Sequence, residues 1–535
     1  MGKEILFGLE ARASMQVGLN KLADAVRATL GPRGRHAAIE RRHGPPLVTK
    51  DGVTVARSIT LDDPAENMGS QLVRYVASAT NGVAGDGTTT ATVLAQAIFS
   101  EGSKVIASGH NPVLVKRGTD IAVGEAVKVL TDLSMEVSDS ETIKNVAAIS
   151  ANNDAELGSL IADAIDAIGN DGLIHVEEAT GSETSIEFTE GLKVDRGYVS
   201  SNFVTNQQKM VAEFDNPLIL CYEGSLSTTA DLLPLLESVW EGGRSIVIMA
   251  RSVVDEALQT LLLNNIRGSL SCCVIRAPGF GDFGKEMLED IALVTNTSVF
   301  NNTTRPLASA TIDSLGTAKK VVSLQSSTSI INGAGSTNSI SDRVDGLKSL
   351  MKQTNEHHAV SFYKDRISKL SGGVAIIKVG GSTEADMKER KDRVEDSINS
   401  VMAAIAEGVV PGGGSALIHA ETAMQSSKLK ETLTVEELVG FNIVLSAMST
   451  PFKQILKNAG VEHYEYMTKV RTKGGFSGYD ALKNEFVESM LDNGIIDPLK
   501  VVRTALEHAA SASGTLLTTE VSIFESALSD DTTTT

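Results

Sequence analysis

The 535-residue sequence is poor in cysteine, aromatic residues and positive charge. Its three cysteines, of which Cys272 and Cys273 are adjacent, are too few for a disulfide scaffold and lack the spacing of a zinc site. Aromatic residues make up only 4% of the chain, with Trp240 as the single tryptophan. The 48 Lys and Arg against 67 Asp and Glu give a net charge of −19, which argues against a nucleic acid or an anionic membrane as the main partner.

Long hydrophobic runs are also missing. No uncharged apolar stretch approaches the roughly 20 residues of a membrane span, and residues 1–6 lack the apolar segment of a signal peptide. We therefore expect a cytoplasmic protein without a membrane partner. The hydrophobic content of 42% is enough for buried cores, and the length predicts about three or four domains.

Helical and strand-like segments alternate along the chain. Apolar residues at helical spacing predict helices at 19–30, 88–109 and 113–133, and a charged helix at 384–407. Short apolar runs that alternate with helical patterns predict a parallel α/β layer in the middle; they lie at 173–176, 218–222, 245–249 and 272–275. A polar stretch at 323–341 is typical of turns and hairpin edges. The polar tail at 526–535 predicts disorder.

The segment 85–90, Gly-Asp-Gly-Thr-Thr-Thr, is the most informative motif. Its two glycines allow a ligand to approach the backbone, and free N–H groups at the start of the following helix suit a phosphate. Asp86 would repel a phosphate, so it is better explained as a Mg²⁺ ligand. The same residues would also suit an ordinary helix start with turn glycines. Residues 29–32 and Lys50 add a second candidate loop and a cation.

A competing phosphate loop lies at 279–286. It has the glycine and lysine spacing of a P-loop, but Glu286 stands where a hydroxyl is needed for Mg²⁺. If this loop bound nucleotide, the protein would be a P-loop kinase and would depend on Lys285. A packed turn between strand and helix is the simpler interpretation.

Ten motifs in order resemble a group I chaperonin of the GroEL family, from about Phe7 to Thr519. They are ADAV at 23–26, TLGP at 29–32, TKDGV at 49–53, ENMG at 66–69, GDGTTTAT at 85–92, DRGY at 195–198, APGFGD at 277–282, RVED at 393–396, EGVVPGGG at 407–414 and GIIDP at 494–498.

The resemblance implies a chaperonin fold, multidomain α and α/β, with three domains. A helical equatorial domain takes 1–132 and 408–525, a small α/β intermediate domain takes 133–189 and 374–407, and an α/β apical domain takes 190–373. It also implies an ATPase that forms a seven-membered ring, as one ring or two, and folds non-native polypeptides in a central cavity. ATP, Mg²⁺ and K⁺ are the implied cofactors, and a GroES-type co-chaperonin is an implied partner.

The resemblance also assigns site residues. Asp396 would position and activate the attacking water, with Asp51 assisting, and Asp86 would hold Mg²⁺. The nucleotide contacts would be Thr29, Leu30, Gly31, Pro32, Lys50, Asp86, Gly87, Thr88, Thr89, Thr90, Gly413, Asp480 and Asp497. The apolar positions that bind clients and the lid would be Tyr198, Asn202, Phe203, Leu233, Leu236, Leu258, Leu262 and Leu263.

Several residues depart from the family pattern and indicate a divergent member, of phage-encoded or secondary-copy type. Asn202 replaces an aromatic residue in the client groove, Glu136 replaces a hinge proline, and Asp480 replaces an asparagine beside the base. The Gly-Gly-Met tail of bacterial members is absent. These departures motivate an alternative function, a ring that holds or scaffolds clients with weak or no ATP-coupled folding.

Overall fold

The structure, a computed structural model, describes residues 3–40, 46–137, 140–151, 154–168, 173–179, 181–207, 209–279, 281–354 and 357–525. The tail predicted to be disordered, 526–535, lies outside the described residues, as does Phe280 of the 279–286 segment. No helix in the described ranges is long and apolar enough to cross a membrane.

The helices, in chain order, are α1 (Gly8–Arg27), α2 (Gly52–Ser58), α3 (Pro64–Ala84), α4 (Thr88–Ala107), α5 (Pro112–Leu133), α6 (Ser140–Ser150), α7 (Ala155–Ile168), α8 (Leu233–Glu241), α9 (Asp255–Ile266), α10 (Gly281–Val294), α11 (Thr337–Gln353), α12 (His357–Ser371), α13 (Glu384–Glu407), α14 (Ser415–Gln425), α15 (Val435–Met448), α16 (Thr450–Asn458), α17 (His463–Lys473) and α18 (Leu499–Leu517).

The strands are β1 (Lys3–Phe7), β2 (Ala37–Ile39), β3 (Leu47–Thr49), β4 (Leu173–Glu178), β5 (Ser185–Val194), β6 (Ala212–Asp215), β7 (Leu218–Leu226), β8 (Ile246–Val253), β9 (Cys272–Arg276), β10 (Gly316–Ser323), β11 (Thr328–Gly333), β12 (Gly373–Val379), β13 (Val409–Pro411), β14 (Gly478–Asp480), β15 (Glu485–Val487), β16 (Ile496–Pro498) and β17 (Val521–Glu525).

The chain divides into two compact units. Unit 1 combines Met1–Asp163, Thr180–Glu183 and Val379–Thr535, and unit 2 combines Ala164–Ala179 and Thr184–Lys378. Both ends of the chain therefore belong to unit 1, where β1 and β17 pair antiparallel. The division into three domains stays a prediction.

Glycines allow the helices of unit 1 to cross closely. A Cβ added to Gly18 of α1 would lie 1.7 Å from the carbonyl oxygen of Glu66 in α3. The same holds between α5 and α15, where a Cβ on Gly118 would lie 2.0 Å from the carbonyl oxygen of Glu437. Such distances exclude any side chain, so these glycines set how closely the helices that support the site can pack.

Unit 2 is built on a nine-stranded sheet with the strand order β4-β12-β5-β11-β10-β7-β8-β9, and β6 pairs with β10. Strands β7, β8 and β9 are parallel, as the sequence predicts, because helices α8 and α9 cross over between them. The pairings of β10 with β6, β7 and β11, and of β5 with β11 and β12, are antiparallel. The polar stretch 323–341 holds the β10–β11 turn but also the start of α11, so the prediction missed this helix start.

A buried ion pair connects two helices of unit 2. Arg366 of α12 is 2% exposed and donates to both carboxylate oxygens of Asp290 in α10, from Nε at 2.6 Å and from Nη2 at 2.9 Å. A third bond runs from its Nη1 to Glu286. Asp290 also accepts from Nε of Arg343 at 2.9 Å. Because Arg366 and Asp290 are both withdrawn from water, removing either one leaves a buried charge with weaker compensation.

We expect Arg366→Ala to lower the free energy of unfolding by about 3 kcal/mol, because the buried Asp290 would lose both bonds from Arg366 and keep only the bond from the half-buried Arg343. Urea denaturation followed by circular dichroism measures this change. The control is Lys348→Ala, which breaks an exposed pair with Asp345 and should change stability by about 0.5 kcal/mol or less. Equal effects of the two substitutions would contradict the prediction.

Candidate functional site

A cavity of about 570 Å³ lies in unit 1. Every nucleotide or catalytic residue predicted from the sequence lines it except Thr88, which is buried beside it in the first turn of α4. The structure thus brings residues from positions 29 to 497 together around one cavity.

The first wall is the turn between α3 and α4. Helix α3 ends at Ala84 and is capped by Gly85, whose φ is 72°, and α4 begins at Thr88 after Gly87, whose φ is 83°. Only glycine adopts such angles readily, so these two residues allow the tight turn that joins α3 to α4. The first N–H groups of the 20-residue α4 have no partner within the helix, and Thr89 and Thr90 of this first turn line the cavity. This wall is suited to an anion.

The second wall is formed by the 29–32 loop and the β3–α2 junction. Asn458 donates from Nδ2 to the carbonyl oxygens of Arg27 and Leu30, which fixes the loop. Asp51 caps α2 by accepting from the N–H groups of Val53 and Thr54. Lys50, next to it, lines the cavity and pairs with no carboxylate in the described ranges.

The opposite wall comes from the end of the chain. Asp497 in β16 pairs with Val410 of β13, which places it beside Gly413. Asp480, at the end of β14, accepts from the N–H groups of Leu482 and Lys483 and lies 3.6 Å from the Lys483 Nζ. The carboxylate of Asp480 therefore stabilises its own turn, which leaves the base contact predicted for it without direct support.

Helix α13 closes the cavity from a fourth side. It begins at the N-cap Thr383, which accepts from the N–H of Asp386, and it ends at Gly408 with φ 85°. Asp396 lies in the middle of this helix and lines the cavity. The described residues provide no basic side chain as a partner for Asp396.

The cavity carries an excess of negative charge. Burial raises the pKa of Asp396 well above its usual value, and the charges of Asp86 and Asp51 raise it further. Burial also raises the pKa of Asp86, although the N–H of Gly87 and the hydroxyl of Ser400 oppose the rise. The pKa of Asp497 rises to about 7 through burial and the charge of Asp86, against a hydrogen bond from the Gly413 N–H. The site therefore favours a ligand that brings positive charge.

The donor set fits a Mg²⁺ ion that is delivered with a phosphate. No three acidic, histidine or cysteine side chains in the described part of the chain are close enough to hold a metal by themselves. Mg²⁺ needs fewer protein ligands, because it binds one or two carboxylates together with phosphate oxygens and water. Asp86 meets this requirement beside the N-terminus of α4.

Some lining residues were not predicted from the sequence. They include Asn145 and Ser150 of α6, Glu389 and Arg393 of α13, and Tyr479 of β14. Arg393 forms an ion pair with Glu389, four residues earlier on the helix. Arg393 precedes Asp396 by three residues, so the sequence could have placed both on the same face of α13. Helix α6 shows no sequence pattern that marks its residues as site residues.

The competing loop at 279–286 lies in unit 2 and opens α10. Its Lys285 Nζ lies 4.0 Å from a carboxylate oxygen of Glu223, and Glu286 pairs with Arg366. Phe283 packs on Phe362 with ring centroids 4.4 Å apart. These contacts are those of a packed turn between strand and helix.

The predicted client positions in unit 2 divide by burial. Phe203, Leu236 and Tyr198 are at most 8% exposed and belong to the core of unit 2, so they do not form an exposed rim. Leu233 and Leu263 are 48% and 52% exposed, Leu258 and Leu262 are half-buried, and Asn202 is exposed. We call Leu233, Leu258, Leu262 and Leu263 the α8–α9 surface. Ile266, which is 62% exposed on α9, was not predicted.

Two comparisons relate the chain to known proteins. A model described as the TCP-1/cpn60 chaperonin family matches residues 22–526. Among solved structures, the chain resembles the crystal structure of the chaperonin gp146 from the bacteriophage EL 2 (Pseudomonas aeruginosa), determined in the presence of ATP-BeFx. The sequences are 22% identical, the match covers 98% of this chain and 99% of that chain, and the TM-score is 0.70. The fold class predicted from the sequence is confirmed.

The raised pKa of Asp497 predicts a pH dependence of stability. We expect the ligand-free protein to lose stability as the pH rises from about 4, the unfolded value, to about 7, because the folded state must keep a proton that the unfolded state releases. This residue contributes roughly 1.4 kcal/mol per pH unit at most. Urea denaturation at fixed pH values should show a shallower fall for Asp497→Asn.

The control is Asp492→Asn, which changes an exposed aspartate five positions earlier and should leave the slope unchanged. An unchanged slope in Asp497→Asn would contradict the assignment.

Proposed function

The chain belongs to the TCP-1/cpn60 chaperonin family, and we propose that the cavity of unit 1 is where this ATP-dependent chaperone binds and hydrolyses its nucleotide. The observation that carries the proposal is that the 85–90 turn and Asp396 line the same cavity. A phosphate-binding turn and a carboxylate without a basic partner are what hydrolysis of a terminal phosphoanhydride bond requires of a protein. The crystal structure of gp146, with ATP-BeFx present, supports a nucleotide as the ligand.

The residues that line the cavity have different roles in binding and hydrolysing the nucleotide. The N–H groups at the start of α4 and the ammonium group of Lys50 bind the phosphates. Asp396 accepts a hydrogen bond from the attacking water and orients it, and Asp51 assists. Gly413 and Asp497 border the base and the ribose. Tyr479 and the 29–32 loop exclude water from the rest of the cavity.

Asp86 would hold Mg²⁺ together with the phosphates. When bound, the metal supplies positive charge that neutralises the phosphates and the surrounding carboxylates. A K⁺ ion beside it would relieve the same repulsion.

As a member of this family, the chain forms a ring-shaped oligomer and binds protein substrates. We propose seven subunits for the ring, and the α8–α9 surface as the site for non-native polypeptides and for a co-chaperonin loop. Both helices follow parallel strands of one sheet, and right-handed crossovers put them on the same face of it. Exposed leucines there can bury apolar surface of an unfolded chain.

We expect Asp396→Ala to keep nucleotide binding and to lower the rate of ATP hydrolysis at least a hundredfold, because the attacking water loses its acceptor. Fluorescent-nucleotide titration and a phosphate-release assay measure the two properties. The control is Glu395→Gln, the neighbouring residue, which does not line the cavity. Parent-like turnover in Asp396→Ala would contradict the assigned role.

We expect the double substitution of Leu233→Ser and Leu263→Ser to reduce suppression of aggregation of a denatured test enzyme several-fold, because it removes exposed apolar area. Val435→Ser is the matched control, since Val435 is 72% exposed but lies in unit 1. An equal loss in both proteins would contradict the proposed surface. Recovery of enzyme activity with ATP supports folding, whereas suppression without recovery would favour the holding ring.

A further inference from the structure

Helix α13 packs closely against the 85–90 turn. A Cβ added to Gly85 would lie 2.2 Å from the Cβ of Asn399, so no side chain fits between the turn and the helix. Beside this contact, Ala403 of α13 packs with Ala84 and Val501 in a small buried apolar cluster. Helix α13, which contains Asp396, is therefore in direct contact with the turn that contains Asp86.

A hydroxyl group adds a polar bond to this packing. Ser400 is fully buried on α13, and its Oγ donates to Oδ2 of Asp86 at 3.0 Å. The other oxygen of Asp86, Oδ1, accepts from the N–H of Gly87 at 2.5 Å. The carboxylate of Asp86 is thus held from two sides, by its own turn and by α13.

The Ser400 hydroxyl bonds an acceptor that is unusual for a hydroxyl inside a helix. Hydroxyl groups inside helices commonly donate to the carbonyl oxygen four residues earlier. Thr422 and Ser238 do so in α14 and α8, donating to Ile418 and Pro234. Ser400 instead donates to a carboxylate on another element, and bonds to charged acceptors are stronger than those to neutral ones.

We propose that Ser400 is a positioning residue that latches α13 to Asp86 and thereby holds Asp396 at the cavity. Asp396 precedes Ser400 by four residues, so both lie on the same face of the helix. The latch joins the helix that carries the water-orienting carboxylate to the carboxylate assigned to Mg²⁺. Loss of the bond should loosen the helix and disorient Asp86 together. The inference rests on the proposed function for the roles of Asp86 and Asp396.

The chain offers a closely matched control on the same helix. Ser397 is also fully buried, and its Oγ donates to the carbonyl oxygen of Ala147 in α6 at 2.6 Å. Ser397→Ala therefore removes a hydroxyl of equal burial from the same face region of α13 without touching Asp86. Ser400→Thr keeps the donor and serves as the rescue variant.

The experiment uses the full-length protein and two readouts. In the nucleotide-free state, hydrogen exchange detected by mass spectrometry reports the opening of α13, which should exchange at least several-fold faster in Ser400→Ala than in the parent. In ATP hydrolysis, Ser400→Ala should lower kcat about tenfold or more and raise the Mg²⁺ concentration for half-maximal rate, with a smaller change in the KM for ATP. Ser400→Thr should recover both.

Ser397→Ala should change kcat less than Ser400→Ala and leave the Mg²⁺ requirement unchanged. Parent-like exchange and kcat in Ser400→Ala, or an equal shift of the Mg²⁺ requirement in Ser397→Ala, would overturn the latch. If Ser400→Ala does not assemble, the nearly isosteric Ser400→Cys takes its place with the same expectations, because a thiol is a weak donor. If the proposed function is wrong, the parent protein itself does not hydrolyse ATP, which differs from failure of the latch. Hydrogen exchange of α13 still tests the latch in that case.

Discussion

Four of the carboxylates that line the cavity, those of Asp51, Asp86, Asp396 and Asp497, repel one another, and this repulsion is the constraint on which the site depends. Burial raises the pKa of Asp86, Asp396 and Asp497, and neighbouring carboxylates raise these pKa values further. Lys50 is the lining cation that no described carboxylate neutralises. A chain of net charge −19 can therefore accept a polyanion here only if a cation binds with it. The complex of ATP with Mg²⁺ meets this requirement.

The carboxylates stay close in spite of this repulsion because rigid backbone junctions hold them. Asp51 is fixed as the cap of α2, Asp497 by the pairing of β13 with β16, and Asp86 by the left-handed glycines on both sides. Asp396 depends on the position of a whole helix instead. The packing of α13 on α6, α18 and Gly85 therefore places the carboxylate of Asp396 at the cavity.

Much of this arrangement could be predicted from the sequence. Glycines, hydroxyl residues and a helix start at 85–90 indicate a phosphate turn, and the helix bounds 384–407 agree with α13. The α/β texture of the middle predicts the parallel strands β7 to β9, but not the antiparallel strands that widen the sheet, because register is set by distant partners. The burial of Phe203 and Tyr198 was not predicted, because the residue type alone does not tell whether an apolar side chain is buried in a core or exposed at a binding surface. The role of Asp480 as a turn cap also depends on three-dimensional geometry.

Electron cryo-microscopy of the assembled protein with Mg²⁺ and a non-hydrolysable ATP analogue tests the proposed site most directly. We expect nucleotide density in the unit 1 cavity, with its phosphates at the N-terminus of α4, a metal on the carboxylate of Asp86, and Asp396 facing the terminal phosphate. Nucleotide density at the 279–286 turn instead, or an empty unit 1 cavity at saturating analogue, would contradict it.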